Sequence, residues 1–432
     1  MKQPKNLVKA WCMYDWANSV YNLVINTSIF PIYYTAVTKN MGNGETVRFF
    51  EYEIVNSVLY SYALSFSYLI SAVILPLLSG IADYAGKKKL FLKIFTYLGA
   101  GSCMGMFFFT GETLEWGIFC VVFASVGYSS GLVFYDAFLP EVASEEETDR
   151  VSGLGYAYGY LGSALMMIVS LILIQMYDVF GFTSTGWATR TVFLLVGVWW
   201  IGWAQIPFRR LPDNVFQRRP SGRVLFNGYL EIKQVFFALK GLKPMKMYLI
   251  AFFFFNMGVQ TVMLLATLFG SKELKMESGQ LIPVLLIIQF VGVAGSLLFA
   301  RLSERKGNKF SLNTMIIIWI GVCVGAYFVD HVNQFYVIAV LVGLVMGGIQ
   351  ALSRATFSKL IPQDSEDHAS FFSFFDVTFH ISVVLGTFSY GFIEQVTGSM
   401  RNSTLALATF FILGIVFLTR VKMKHVVRVP KA

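Results

Sequence analysis

The chain has 432 residues, of which 56% are hydrophobic and only 14% charged, with a net charge of +9. Soluble domains carry roughly 25% charged residues, so the composition excludes a water-soluble globular protein and describes an all-α integral membrane protein with many spans. The positive excess does not mark a nucleic-acid binder, because Lys and Arg fall in short loops between apolar runs, with no zinc-type spacing or base-stacking module beside them.

A membrane span needs about 20 mostly apolar residues. Twelve such runs follow one another: Trp16–Val37, Val55–Ala82, Leu90–Thr110, Trp116–Phe138, Val151–Tyr177, Thr189–Phe208, Met245–Phe269, Leu281–Leu302, Leu312–Val329, Phe335–Ser353, Phe371–Val396 and Ser403–Thr419. The polar start MKQPKNLVK has no small-residue cleavage site after it, so the first run is expected to insert uncleaved. In that run Asp15, Asn18, Asn22 and Asn26 recur at helical spacing on one face. Neutral amides in such a stripe suit hydrogen bonding to a polar solute, and Asp15, at the edge of the run, is also placed to cap a helix start. Pro31 and Pro76 fall inside spans and are tolerated there only if neighbours satisfy the carbonyls they free. The fifth run carries Gly155, Gly159 and Gly162 for close helix packing, and Tyr156 and Tyr160 on a face able to line a cavity. Asn256 and Gln260 repeat the four-residue amide spacing in the seventh run, and Gln289 stands in the eighth.

Of the 34 Lys and Arg, six (Lys39, Arg48, Arg190, Lys272, Lys275 and Arg401) fall on one side of this topology and the other 28 on the opposite side, together with both termini. The positive-inside rule makes that basic side cytoplasmic. The longest connection, 209–244, holds Pro212, Pro220 and Gly222 and reads as a cytoplasmic linker, with an amphipathic surface helix around Phe226–Leu239. It separates a six-span unit, 1–208, from a second, 245–432.

An internal repeat supports that division. GIADYAGKKK (Gly80–Lys89) follows the second run and RLSERKGNKF (Arg301–Phe310) the eighth; aligning Asp83 with Glu304 also aligns Gly86 with Gly307 and Lys88 with Lys309. LPEVASEEETDR follows the fourth run and IPQDSEDH the tenth, at the same offset within one residue. A duplicated six-helix unit is a transporter layout, with the substrate site expected between the halves near the midplane.

The loop G-x-x-A-D-x-x-G-x-K resembles the signature of the major facilitator superfamily. YDWANS (Tyr14–Ser19), YDAFLPEVA (Tyr135–Ala143), RVSGLGYAYGYLGS (Arg150–Ser163) and GGIQALSRATFSKLIP (Gly347–Pro362) resemble the branch that contains the yeast vacuolar amino-acid effluxers and their bacterial relatives. The resemblance covers the whole chain. It implies twelve helices in two pseudo-symmetric bundles, both termini cytoplasmic, and a gate in which Asp83 meets the start of the eleventh span near Ser370. Lys87, Lys88, Glu141, Arg150, Glu304 and Arg354 are the other candidate gate residues.

The eleventh run contains Asp376 and His380, four residues apart and so on one helical face. Ionisable groups in a span are costly unless they pair or face water, so the two serve either proton coupling and charge recognition, or a structural pair fastening helices. The branch often has lysine where this chain has His380, and histidine titrates near neutrality whereas lysine does not.

The four cysteines, Cys12, Cys103, Cys120 and Cys323, lie far apart in apolar runs and form no disulfide or metal pattern. No HExxH, GxSxG or nucleotide-binding loop marks an enzyme, and no cofactor is implied. The expectation is a monomeric secondary transporter of the bacterial inner membrane. It moves a small polar or amphipathic organic solute, an amino acid among the candidates, by efflux and with protons as a coupling ion. A lipid or lysolipid translocator on the same fold is the alternative.

Overall fold

The computed structural model describes residues 5–39, 46–214, 218 and 224–422. Pro220 and Gly222 of the linker lie outside them. The order is α1 (Lys5–Val20), a π-helical segment (Tyr21–Ile29), α2 (Phe30–Lys39), a hairpin of β1 (Thr46–Phe49) and β2 (Tyr52–Val55), then α3 (Asn56–Ala85), α4 (Lys88–Gly105), α5 (Leu114–Asp136), α6 (Leu139–Val142), α7 (Thr148–Gln175) and α8 (Thr185–Arg210). After the linker come α9 (Val224–Gly241), α10 (Lys243–Glu273), α11 (Ser278–Lys306), α12 (Asn308–Tyr327), α13 (Val332–Leu360), α14 (His368–Thr397) and α15 (Met400–Thr419). Among the described residues, eleven helices are long and apolar enough to cross a membrane. The first predicted span is helical from Lys5 to Lys39 but in three pieces.

Those pieces have a local cause. Pro31 has no N–H, and in π geometry, where each N–H reaches five residues back, the carbonyl left over is that of Asn26. Tyr60 Oη of α3 reaches Asn26 O at 3.4 Å, and Thr27 Oγ1 donates to Asn22 O and Leu23 O at 3.0 Å each. Neighbouring hydroxyls thus supply donors in the region where the ladder is interrupted. The small hairpin before α3 was not legible as strands; Phe50 turns it with φ 52°, and Phe50 N donates to Glu115 Oε1 at 3.1 Å.

The chain folds as two compact units: Met1–Val142, Tyr158–Ile232 and Glu366–Ser373 form one, and Ala143–Ala157, Lys233–Ser365 and Phe374–Ala432 the other. The start of α7 groups with the later helices and the start of α14 with the earlier ones.

The units are packed by different small residues. In the first, α3 and α5 are joined by hydroxyl pairs one helical turn apart, Ser67–Ser125 and Ser71–Ser129, each at 2.9 Å. Gly159 and Gly162 of α7 let α1 approach so closely that a Cβ there would fall 2.5 Å from Ser19 Oγ and 2.8 Å from Trp16 O. In the second, α11 and α13 meet backbone to backbone: a Cβ on Gly347 would lie 2.3 Å from Gly292 O, and one on Gly295 2.0 Å from Leu344 O. Both are ways of bringing helices together where apolar burial gives no drive.

Candidate functional site

Asp83 lies near the end of α3, one turn before Gly86, whose φ of 63° closes the helix in the left-handed region open to glycine. Its carboxylate is buried, and it accepts backbone N–H bonds from Ala369 (3.2 Å) and Ser370 (2.7 Å) in the first turn of α14. The first N–H groups of a helix have no partners within it and carry the positive end of its dipole, so a carboxylate is the natural acceptor. Beside this contact, Glu141 of α6 is ion-paired with Lys88 of α4, and His368 Nδ1 lies 3.2 Å from the same Glu141 oxygen.

The described linker residues Leu211, Asp213, Asn214 and Arg218 lie beside these groups. Lys89 Nζ donates to Leu211 O at 2.8 Å and pairs with Asp213 at 3.1 Å. The side chain of Asn214 rests on Gly86, where a Cβ would fall 2.4 Å from Asn214 Oδ1. Arg218 holds three carboxylates at once: Glu231 of α9 at 2.6 Å, Glu366 at 2.9 Å and Asp367 at 2.7 Å. Asp83, Lys88, Glu141, Asn214, Arg218 and Glu366 all line one small cavity of about 10 Å³. Burial, reinforced by the neighbouring Asp367 and opposed by Arg218, pushes Glu231 up to about 7.

A second buried carboxylate has a different set of donors. Asp149, the second residue of α7, is 1% exposed. It accepts from Ser303 Oγ (2.8 Å) and Asn308 Nδ2 (2.7 Å), and pairs with Lys359 Nζ of α13 at 2.8 Å. One turn further along α7, Ser152 Oγ donates to Ala351 O at 2.7 Å and accepts from Arg354 Nε at 3.0 Å. The buried Arg354 guanidinium lies 4.4 Å over the ring of Tyr156.

Several expectations change here. Arg150, a candidate gate residue, pairs with Glu147, three residues back, and is largely exposed, while Glu141 is held by Lys88 and His368. Glu304 has no ion pair among the described residues, and the acid in that contact is Asp149, which the repeat alignment passed over. Lys87 is exposed at the start of α4. Asp15 is not at a helix start, because α1 begins ten residues earlier at Lys5; it is buried and accepts from Tyr135 Oη at 2.8 Å. Tyr156 and Tyr160 do not act as a pair: Tyr156 underlies Arg354 in the second unit, and Tyr160 is buried in the first.

The amides of the span stripes are also resolved. Asn18 is buried beside Ser19, whose hydroxyl lies 3.4 Å from Asn18 Oδ1. Asn22 is exposed and accepts from Asn26 Nδ2 at 3.2 Å along the π-helical segment. In the second unit Gln260 Nε2 donates to Asn256 Oδ1 at 3.2 Å and Asn256 Nδ2 to Ser382 Oγ of α14 at 2.6 Å; Gln289 is buried in α11. On α14, Asp376 Oδ2 and His380 Nε2 are 3.2 Å apart with both side chains mostly buried. Ser382 lies on another face of α14 from this pair, so the amide chain and the Asp–His pair use different sides of the helix.

Arg218, Asp149 and His368 were missed as site residues. Asp149 had a readable signal: Asp149, Ser152 and Tyr156 share one helical stripe at the start of α7. Arg218 had none, being one of several arginines in a linker without periodicity.

The fold is a largely helical membrane fold in which an acid near the end of one span binds the start of a helix 286 residues later. It matches solved structures of major facilitator transporters: FucP in the outward conformation, with a TM-score of 0.71, 14% identity and coverage of 96% of this chain and 99% of that one, and the human organic anion transporter MFSD10, with a TM-score of 0.73, 9% identity and coverage of 96% and 100%. The family described as "Vacuole effluxer Atg22 like" matches residues 3–428. An uncharacterized MFS-type transporter of Bacillus subtilis (strain 168), YxiO, is 31% identical over 97% of this chain and 95% of its own length. Autophagy-related protein 22 of Yarrowia lipolytica is 24% identical over 88% of this chain and 78% of its own length. The chain is a transporter of the major facilitator superfamily and belongs to its Atg22-like family.

Proposed function

We propose that this transporter exports a small polar or amphipathic organic solute, with amino acids the first class to test, from the cytoplasm across a bacterial inner membrane. The observation that carries the reading is the pair of buried carboxylates at the basic end of the helices. Asp83 ties the second-to-third-span loop to the eleventh span, and Asp149 ties the fifth span to the eighth-to-ninth-span region. Each joins the earlier repeat to the later one through a few polar bonds, which is what alternating access needs from contacts that form in one state and break in another. The efflux direction follows the effluxer description of the family, and amino acids are tested first because the sequence motifs resemble those of the yeast vacuolar amino-acid effluxers. The bacterial relative supports the inner membrane as the location.

Asp376 and His380 are the proposed proton-coupling pair. An ionisable pair within a span is held at a cost, and the 3.2 Å approach of His380 Nε2 to Asp376 Oδ2 is the observation behind the reading. The amides Asn22, Asn26, Asn256 and Gln260 are the proposed solute ligands.

The test is a thermal-shift screen of amino acids, peptides, amines and lysolipids on the purified protein, followed by counterflow of each hit in proteoliposomes with and without a pH gradient. Stabilisation and counterflow by a polar zwitterion, lost in Asn256→Ala, are expected. Response to lysolipids alone overturns the polar-solute reading in favour of lipid translocation. A rate indifferent to the pH gradient, with Asp376→Asn and His380→Ala unchanged, removes the coupling role.

A further inference from the structure

Helix α9 is the one long described helix, apart from those that qualify as spans, that lies in the connection between the repeats. One side of it is seated on the end of α3. A Cβ on Gly228 would fall 2.5 Å from Ile81 Cγ1, one on Gly80 would fall 2.3 Å from Gly228 O, and Asn227 Nδ2 donates to Tyr84 Oη at 2.7 Å. Ile232 and Val235 are buried on the same side. The other side is largely exposed, with Phe236 at its edge against Phe237 and Phe374. Phe226, Tyr229, Leu230 and Phe237 are 59%, 51%, 37% and 54% exposed, and the exposed Lys233 lies among them. At about 100° per residue these five positions fall within an arc of roughly 100°.

We infer that this aromatic face of α9 lies in the headgroup–acyl boundary of the membrane's basic-side leaflet, with anionic phospholipid as its partner. Three observations fix that occupant rather than a soluble protein. The seat on α3 is at Gly80 and Ile81, within two turns of the end of a spanning helix at Ala85, so α9 is held at the depth of the membrane edge. Only Leu242 separates α9 from α10, another spanning helix, so both its ends are fixed near that level. The face combines Phe and Tyr with Lys, the residue types that stabilise a helix lying in the interface. The exposed Lys243 and Lys246 in the first turn of α10 extend its positive charge toward anionic headgroups. Glu231, the acid of this helix, points away from the face into the Arg218 cluster. The inference does not depend on which solute is carried.

The test places nitroxide labels singly at Phe226→Cys, Phe237→Cys and, on the polar flank, Gln234→Cys of the full chain. The native cysteines are all buried. Each variant is put into nanodiscs of phosphatidylcholine alone and of phosphatidylcholine with phosphatidylglycerol. At positions 226 and 237 oxygen should relax the label several-fold more than an aqueous nickel chelate does, and at 234 the order should reverse. Phosphatidylglycerol should raise the thermal midpoint of the wild type, and the rise should shrink in the triple variant Lys233→Gln, Lys243→Gln, Lys246→Gln. Equal aqueous access at all three positions overturns the placement and leaves the face to a soluble partner. A midpoint rise equal in wild type and triple variant overturns the anionic-lipid assignment.

Discussion

The start of α14 and the start of α7 occupy matching places in the two repeats, and each is bound to a turn between two helices of the other repeat. The chemistry is reversed. At α14 the helix supplies backbone N–H groups from Ala369 and Ser370, and the end of α3 supplies the acid, Asp83. At α7 the helix supplies the acid, Asp149, and the donors are the side chains of Ser303, Asn308 and Lys359. Both turns carry a glycine at positive φ, but in different conformations: Gly86 in the left-handed helical region (φ 63°, ψ 29°) and Gly307 extended (φ 86°, ψ 156°). A repeat can therefore keep the place of a contact while moving its charge to the opposite partner. Backbone donors survive any substitution except proline, whereas side-chain donors can each be removed, so the two contacts should fail differently.

The largest effect is expected at Asp149. Asp149→Ala leaves the Lys359 ammonium and two further donors without their shared acceptor in a buried site, which costs about 3–5 kcal/mol when one partner of such a pair is removed. Thermal unfolding in detergent should show it as a clear drop in midpoint; a midpoint equal to wild type would mean the Asp149 contact carries no load.

Asp83→Asn should be milder, because the amide oxygen can still accept from one of the two N–H groups, while the bond to the other and the favourable charge at the helix start are lost. Hydrogen exchange over residues 368–373 should speed up by roughly tenfold, with little change in midpoint. If the two variants are equally destabilising, the distinction between backbone and side-chain donors fails.

Arg218→Ala should cost about 1 kcal/mol or less, since the cluster is partly exposed, and show as faster proteolysis of the linker. Here pH also enters. The docked linker raises Glu231 to about 7, so docking favours the protonated acid. That contribution is fully present below the ordinary carboxylate range and is lost as pH rises through about 7. Glu231 faces Arg218 and Asp367, and Glu366 shares the same guanidinium. Linker cleavage should be slower at pH 6 than at pH 8, and Glu231→Gln should flatten the difference; a flat profile in the wild type would show that Glu231 does not sense docking.

The smallest effect is expected for Glu304→Gln, within about 0.5 kcal/mol. A response as large as that of Asp83→Asn would restore Glu304 as the counterpart acid and break the comparison.

Much of the fold was open to sequence reasoning because hydrocarbon forces every span to declare itself as an apolar run. The contact of Asp83 with the start of α14 was readable because a glycine-closed helix end and a distant helix start are local features that a motif encodes. Asp149 was hidden by its neighbours: in SEEETDR four acids stand within five residues, and which one is buried depends on where α7 begins. The same kind of error displaced Asp15, since α1 starts far earlier than the apolar run does. The Arg218 cluster was beyond reach, because it joins residues 13 to 149 positions apart through a loop with no periodic pattern.

The central claim is that these contacts at the basic end form and break together during transport. Spin labels at Lys87 and at Glu366 in nanodiscs report the separation directly. Two distance populations are expected in the wild type, with the longer one gaining in Asp83→Asn and in Asp149→Asn alike. A single short distance, unmoved by either substitution and by transported solute, would contradict it.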